Sequence, residues 1–461
     1  MQTYDLVIIG AGEAGQAAAH LARHRGASVA VVERELFGGS CPYWACMPSK
    51  ALLHAAAVHA AGGDYAWPRA SDFRDWMIKR EGTDWPDDSS HVESLEKAGA
   101  AVFRGTGQID GPGRVTVASD GAEQDGDEQQ VLGARAILVA VGTHSTVPDD
   151  IEGLDQIEPW TNRQATTTRE LPRSLVILGG GPTGVEMAQV YARYGVPTVL
   201  VSSSERINPS DHPRSSAVLD ERLRAEGVDI RTGTRAVAVR ARGGAGAAHA
   251  VELENGSAVT GHEVLLAVGR TAPLAGLGLE TVGVTPDADG RLHPDERLRI
   301  AENVYVAGDP AGPEMHTHLA VYQGEIAARI ALGEDVRPDH RAIPHAIYTD
   351  PQAAGVGLQL DDALAQGLDA FEETADYATT APGFIAEAAG HVTIVADRGA
   401  RVLLGAFIAA PGAAEAIGEA VLAVKLRVPL EQLADTIHPF PTTLRIMGSL
   451  FAKAAARSTG G

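Results

Sequence analysis

Cys41 and Cys46 are the only two cysteines in 461 residues, and both fall in the stretch FGGSCPYWACMPSK (residues 37–50), beside two glycines and two large aromatics. In a reducing compartment such a pair is a poor structural staple, which leaves a metal site, a redox pair or coincidence. A two-cysteine metal site needs further ligands, and no nearby CxxC or HxxxH supplies them, so no metal is expected. A second kind of chemistry is marked by Gly10, Gly12 and Gly15, a GxGxxG series that returns at Gly179, Gly181 and Gly184. Glycines at this spacing allow a tight turn, close approach of backbone to a pyrophosphate, and packing of a helix on a strand whose helix N-terminus faces the phosphate charge.

Each series sits where a βαβ unit must place it. Tyr4 to Ile9 reads as a strand, Gln16 to Arg25 as a helix, and Ser28 to Val32 as a second strand ending at Glu33, a carboxylate at the spacing that suits a ribose. Leu175 to Leu178, Val185 to Tyr194 and Thr198 to Val201 repeat the pattern, so the chain is expected to hold two dinucleotide folds. AILVAVG (136–142) and EVLLAVG (263–269) look like the strands that close them, ending in Gly142 and Gly269. NVYVAGD (303–309) is a late strand that offers Asp309 to a polyol. The acidic run 119–130 reads as a solvated hairpin tip. From about residue 336, HVTIVAD, RVLLGAFIAA and an Ala-rich helix at 411–426 indicate a separate α+β domain. The fold class is therefore α/β: two Rossmann-like dinucleotide-binding domains plus a C-terminal α+β domain. The expected boundaries are 1–148 and 271–335 for a split first dinucleotide domain, 149–270 for the second, and 336–461 for the C-terminal domain.

Composition narrows the partners. A net charge of −22 repels nucleic acid and anionic membrane. No run of eighteen apolar residues appears, and MQTYDLVIIG leads directly into a strand, so a cytoplasmic protein without membrane or nucleic-acid partners is expected.

In order along the chain stand GAGEAG, GGSCPYWACMPSK, VGTHSTVP, GGGPTGVE, VGRTAP, VAGDPAG and YTDPQAAGVG. Taken together they resemble the flavoprotein disulfide reductases, the family of dihydrolipoamide dehydrogenase, glutathione reductase and mercuric reductase. The resemblance covers nearly the whole chain and implies FAD, NADPH or NADH, a homodimer, and electron flow from nicotinamide to flavin to a Cys41–Cys46 disulfide. It implies that Cys46 is the thiolate beside the flavin and that Cys41 exchanges with a thiol or disulfide substrate. Lys50 matches the lysine near the flavin's reactive nitrogen and Glu186 its ion-pair partner. Gly10, Gly12, Gly15, Glu33, Gly142 and Asp309 fall on the FAD positions; Gly179, Gly181, Gly184, Gly269 and Arg270 fall on the nucleotide motifs.

Four features depart from the pattern. In TIHPFPTTLRIM the family's base histidine is replaced by Phe440 and its supporting glutamate by Arg445, leaving His438, two residues earlier, as the remaining candidate base. Pro182 stands where relatives place an aromatic lid over the flavin. Ser202, with Ser203 and Arg206, replaces the acid of NAD-selective members, which favours NADPH. Tyr43 and Trp44 replace smaller residues and would either stack on a planar acceptor beside Phe440 or fill space under the flavin. The C-terminal FAKAAARSTGG carries no cysteine pair, which disfavours a mercuric reductase. Besides disulfide reduction or thiol oxidation, two functions remain open: a flavin-mediated quinone reductase or transhydrogenase that does not need the disulfide, and a non-catalytic redox-sensing subunit.

Overall fold

A computed structural model describes residues 1–118, 129–241, 247–288 and 290–458. Its contacts divide the chain into two compact units, one of residues 1–48, 72–146 and 269–338, the other of residues 49–71, 147–268 and 339–461.

The first unit is built on an eight-stranded sheet. Its spine runs Arg299–Ala301, Val304–Val306, Gln130–Val139, Gln2–Ile9, Val29–Glu33, Ala101–Arg104, and the hairpin Thr106–Ile109 with Arg114–Ala118 joins at Gln130–Val139. The five strands from Val304–Val306 to Ala101–Arg104 pair in parallel, with Leu6 opposite Val29 and Ala136. Strands buried on both faces need unbroken apolar runs, and Leu6, Val7, Ile8 and Ile137 are all at most 1 % exposed. Most of the acidic run lies outside the described residues; the strands flanking it, Arg114–Ala118 and Gln130–Val139, pair antiparallel. The helix Glu13–His24 covers one face, and Gly324 of the helix Thr317–Ala331 lets the two helices touch, since a Cβ there would sit 2.2 Å from the Ala14 carbonyl oxygen.

Among the described residues the second unit holds three sheets. A parallel one runs Asp229–Arg231, Thr198–Val201, Leu175–Leu178, Glu263–Leu266; a three-stranded antiparallel one spans Ala236–Arg240, His249–Leu253 and Ala258–Gly261. The third is five-stranded and antiparallel, in the order Pro344–Ile347, Gln352–Gly357, Val402–Ala410, His391–Asp397, Ala370–Asp376. The helices Ala413–Leu426 and Thr443–Ser458 share a buried core with it through Ile417, Ala420, Met447 and Phe451.

Candidate active site

The two glycines ahead of Cys41 are demanded by the backbone. Gly38 and Gly39 take φ of +116° and +71°, and a Cβ on Gly39 would lie 2.7 Å from the Cα of Gly12. The Gly38 N–H donates to the Ala11 carbonyl at 2.9 Å, so the cysteine segment is fastened to the first glycine turn. Cys41 lies in the short helix Ser40–Tyr43, and Cys46 is the first residue of Cys46–Ala60. The hydroxyl of Thr317 donates to the Cys41 sulfur at 3.2 Å and stands 3.4 Å from the Cys46 sulfur. The hydrogen bond to Cys46, then burial, push the Cys41 thiol up, against the lowering contact with Thr317. Cys46 stands at the N-terminus of its helix, where negative charge is favoured. Burial, and then the Cys46 sulfur, also raise the carboxyl of Glu13.

Both glycine series have one geometry. Gly10 and Gly179 have φ of +104° and +118°, and a Cβ on Gly15 or Gly184 would meet the carbonyl oxygen of Gly10 or Gly179 at 2.0 Å. The middle glycines face open space: a Cβ on Gly181 meets nothing within 4 Å, and one on Gly12 only the Gly39 Cα at 3.9 Å. A Cβ there would intrude only on a ligand, so both turns fit a dinucleotide. Glu33, raised by burial, accepts the Ala11 N–H at 2.8 Å and the Glu35 N–H at 2.7 Å, which fixes the carboxylate at the end of its strand. Thr143 donates to Asp309, and Arg270 Nε donates to the Thr143 hydroxyl at 2.7 Å and lies 3.7 Å from Asp309. Gly142 and Gly269 have φ of +62° and +143°. Gln323, fully buried, accepts the Gly308 N–H at 3.0 Å and donates to the Gly312 carbonyl at 2.6 Å, holding the loop that carries Asp309.

In the second unit Lys50 Nζ lies 3.0 and 2.9 Å from the two carboxylate oxygens of Glu186. Glu186 is buried on Pro182–Arg193, a helix with Pro182 in its first turn, where no donor is lost. Ser202 is 4 % exposed, with its hydroxyl under Gly180, whereas Ser203 is exposed. Arg206 spends its Nη2 on the carbonyls of Pro209 and Asp211 at 2.7 and 3.0 Å, and its Nε is buried without a hydrogen-bond partner.

The profile of the pyridine nucleotide-disulphide oxidoreductases matches residues 4–324, and that of their dimerisation domain matches residues 343–449. The chain belongs to this family. It is 34 % identical to a dihydrolipoyl dehydrogenase of Halobacterium salinarum, over 95 % of this chain and 93 % of the relative. It is 32 % identical to a mercuric reductase of Streptomyces lividans, over 98 % and 96 %. The structure superposes on LpdA of Mycobacterium tuberculosis with a TM-score of 0.86 at 26 % identity, covering 98 % of this chain and 99 % of that one. It shares its fold with the HOCl-induced flavoprotein disulfide reductase RclA of Escherichia coli, TM-score 0.85 at 23 % identity, over 98 % and 99 %. The protein is thus a flavin-dependent pyridine nucleotide-disulphide oxidoreductase using FAD and NAD(P)H, and its dimerisation domain supports a homodimer. Among the described residues no helix is long and apolar enough to cross a membrane.

Three positions expected to line this family's substrate site, or to serve it as base, are arranged differently. His438 has 4 % of its side chain exposed; its Nε2 lies 2.9 and 3.0 Å from the Glu419 oxygens, and its Nδ1 is buried against Gly448. A ring enclosed in this way has no open nitrogen with which to take a proton from a substrate. Tyr43 and Trp44 are 2 % and 5 % exposed, packed with Leu36 and Ile78, and the Tyr43 hydroxyl donates to the Phe37 carbonyl at 3.0 Å. Both rings are packed inward against Leu36 and Ile78, so neither offers a face to a planar acceptor. Trp85, 51 % exposed and edge-on to Trp44 at 5.4 Å, is the open ring of that cluster. Phe440 is 74 % exposed, and Arg445 bonds Ser449 of its own helix. Sequence reading missed Thr317, Gln323, Glu419 and Tyr348, whose N–H donates to Glu186 at 3.0 Å.

Proposed function

We propose that the enzyme reduces a disulfide, or oxidises a dithiol in reverse, through Cys41 and Cys46, with NADPH as its electron donor. The observation that carries this reading is the pair of sulfurs at 3.2 and 3.4 Å from one hydroxyl, at the start of a helix. Bound FAD would supply the two-electron relay between NADPH and the Cys41–Cys46 disulfide. Cys41 sulfur then attacks a substrate disulfide RSSR′, breaking the S–S bond to release R′S⁻, which takes up a proton. Cys46 sulfur attacks Cys41, expels RS⁻ and restores the disulfide; NADPH, one proton and RSSR′ give NADP⁺, RSH and R′SH. Lys50, held by Glu186, lies one turn after Cys46 on the same helix and would place its charge at the flavin ring. Gly10, Gly12, Gly15, Glu33, Gly142 and Asp309 would hold FAD, and Gly179, Gly181, Gly184, Gly269 and Arg270 the nicotinamide nucleotide. Ser202, Ser203 and Arg206 present no carboxylate to a 2′-phosphate. In this reading the chain forms three cytoplasmic domains: FAD-binding (1–148, 271–335), NAD(P)-binding (149–270) and interface (336–461).

A second reading is favoured by Phe440 being exposed and His438 enclosed: with no histidine to take the Cys41 proton, electrons leave the flavin directly for a quinone-like acceptor. The deciding experiment compares wild type with Cys41→Ser in NADPH-driven turnover of disulfides and quinones. Turnover of a disulfide abolished by Cys41→Ser supports the thiol route. Quinone turnover alone, unchanged in Cys41→Ser, overturns it.

A further inference from the structure

Tyr348 stands at the end of the strand Pro344–Ile347, and its backbone is tied on both sides to the helix that carries Glu186. Its own N–H donates to Glu186 at 3.0 Å. Two residues on, the Asp350 N–H donates to Gln189 at 2.8 Å, and Gln189 Nε2 returns a bond to the Asp350 carbonyl at 2.9 Å. Glu186 and Gln189 are one turn apart on that helix and nearly fully buried, and Ile347 and Thr349 on either side of Tyr348 are 1 % and 3 % exposed. The backbone is therefore fixed, and the ring is placed by it. The Lys50 ammonium lies 4.8 Å from the centroid of that ring while both oxygens of Glu186 hold it from another side.

We propose that Tyr348 is a positioning residue for Lys50: its ring face confines the ammonium that the Glu186 carboxylate neutralises. An ion pair alone leaves a lysine side chain free to pivot about the carboxylate, and Lys50 is 33 % exposed. The negative face of an aromatic ring removes that freedom on one side and keeps water from the charge. The inference rests on the reading that Lys50 serves the bound flavin, and its test separates the two.

The test uses holoenzyme and follows the loss of the oxidised flavin's visible absorbance on anaerobic mixing with NADPH, in wild type, Lys50→Met, Tyr348→Leu, Tyr348→Phe and the Lys50→Met/Tyr348→Leu double variant. A cation held on a ring contributes about 0.5–2 kcal/mol, so Tyr348→Leu should slow flavin reduction roughly 2- to 30-fold, with NADPH affinity and FAD content unchanged. Tyr348→Phe keeps the ring and should recover most of the rate. Lys50→Met should be at least as slow as Tyr348→Leu, and the double variant no slower than Lys50→Met, because both changes remove one interaction. Because Tyr348 is 41 % exposed, its replacement leaves the core intact, which an unchanged Tm verifies. Wild-type reduction in Tyr348→Leu beside a slow Lys50→Met overturns the role of Tyr348 alone, as does an additive loss in the double variant. Wild-type reduction in Lys50→Met overturns the reading of Lys50 itself.

Discussion

Nε2 of His438 lies between the two carboxylate oxygens of Glu419, at 2.9 and 3.0 Å, and the imidazole is enclosed. Glu419 comes from the helix Ala413–Leu426, and the ring it holds faces inward. The pair fixes the loop at whose outer turn Phe440 is exposed.

His438→Ala is accordingly expected to act on stability. Removing one partner of a largely buried pair costs on the order of 1–3 kcal/mol, and Tm should fall by roughly 2–8 °C. Turnover per FAD-loaded dimer should change less than about threefold, well short of the 10²–10⁴ that loss of a positioned base costs. A hundredfold loss of turnover with Tm unchanged would make His438 a base after all.

The sulfur pair has its own signature. Cys41 is pushed up first by Cys46, and its proton is held within the pair. In protein reduced by NADPH, iodoacetamide should therefore label Cys41 slowly at neutral pH and faster as pH rises. In Cys46→Ser the leading cause of the upward shift is gone, so Cys41 titrates lower and should be alkylated faster than Cys41 of the wild type. Thr317→Val works in the opposite direction, because it removes the contact that lowers Cys41. Peptide mapping of the labelled cysteine with pH checks each sign, and slower labelling of Cys41 in Cys46→Ser would contradict the assignment.

The glycine turns, the two βαβ units and the meeting of Lys50 with Glu186 were legible in sequence because local backbone constraints or a motif mark each position. Gly15 must be glycine since its Cβ would meet a carbonyl at 2.0 Å, and that necessity shows in the spacing. Thr317 is 276 positions from Cys41 and Tyr348 is 162 from Glu186, and neither carries a local mark of its partner. For Tyr43 and Trp44 the sequence left two placements open, stacking on an acceptor or filling space; their burial against Leu36 and Ile78 argues against the first, and no local pattern marks those partners.

His391 gives the fold a pH dependence. It is held down to about 3, first by burial and then by the charge of His212, against Asp211, while Arg214 adds to the lowering. Its nitrogens lie 3.0 Å from the Ser215 hydroxyl and 2.9 Å from that of Thr393, and the His212 ring above it is 3.1 Å from Glu372. The unfolded chain binds a proton near the ordinary histidine value of about 6.5 and the folded chain does not until about 3, so stability is full above that window and is lost as pH falls through it. His391→Gln, which keeps a hydrogen-bonding side chain without the titration, should flatten the decline of Tm between those limits. Parallel Tm–pH curves for the two proteins would remove His391 as its source.

By the resemblance drawn from TIHPFPTTLRIM, Phe440 and Arg445 would stand at the positions of the family's base and of the acid that orients it. A phenyl ring accepts no proton, and the Arg445 guanidinium bonds Ser449 at 3.2 Å instead of offering a carboxylate. Phe440→His alone therefore introduces an imidazole with nothing to fix its tautomer, and disulfide turnover should rise less than about threefold. Phe440→His combined with Arg445→Glu supplies an imidazole on the exposed turn and a carboxylate in the first turn of the helix after it, and the gain should exceed about tenfold, approaching the 10²–10⁴ attributed to a positioned base. The gain should appear in kcat on a small disulfide and be absent with a quinone, whose reduction does not draw on the Cys41 proton. Equal rates for the single and double variants would show that something other than the missing base limits exchange at Cys41.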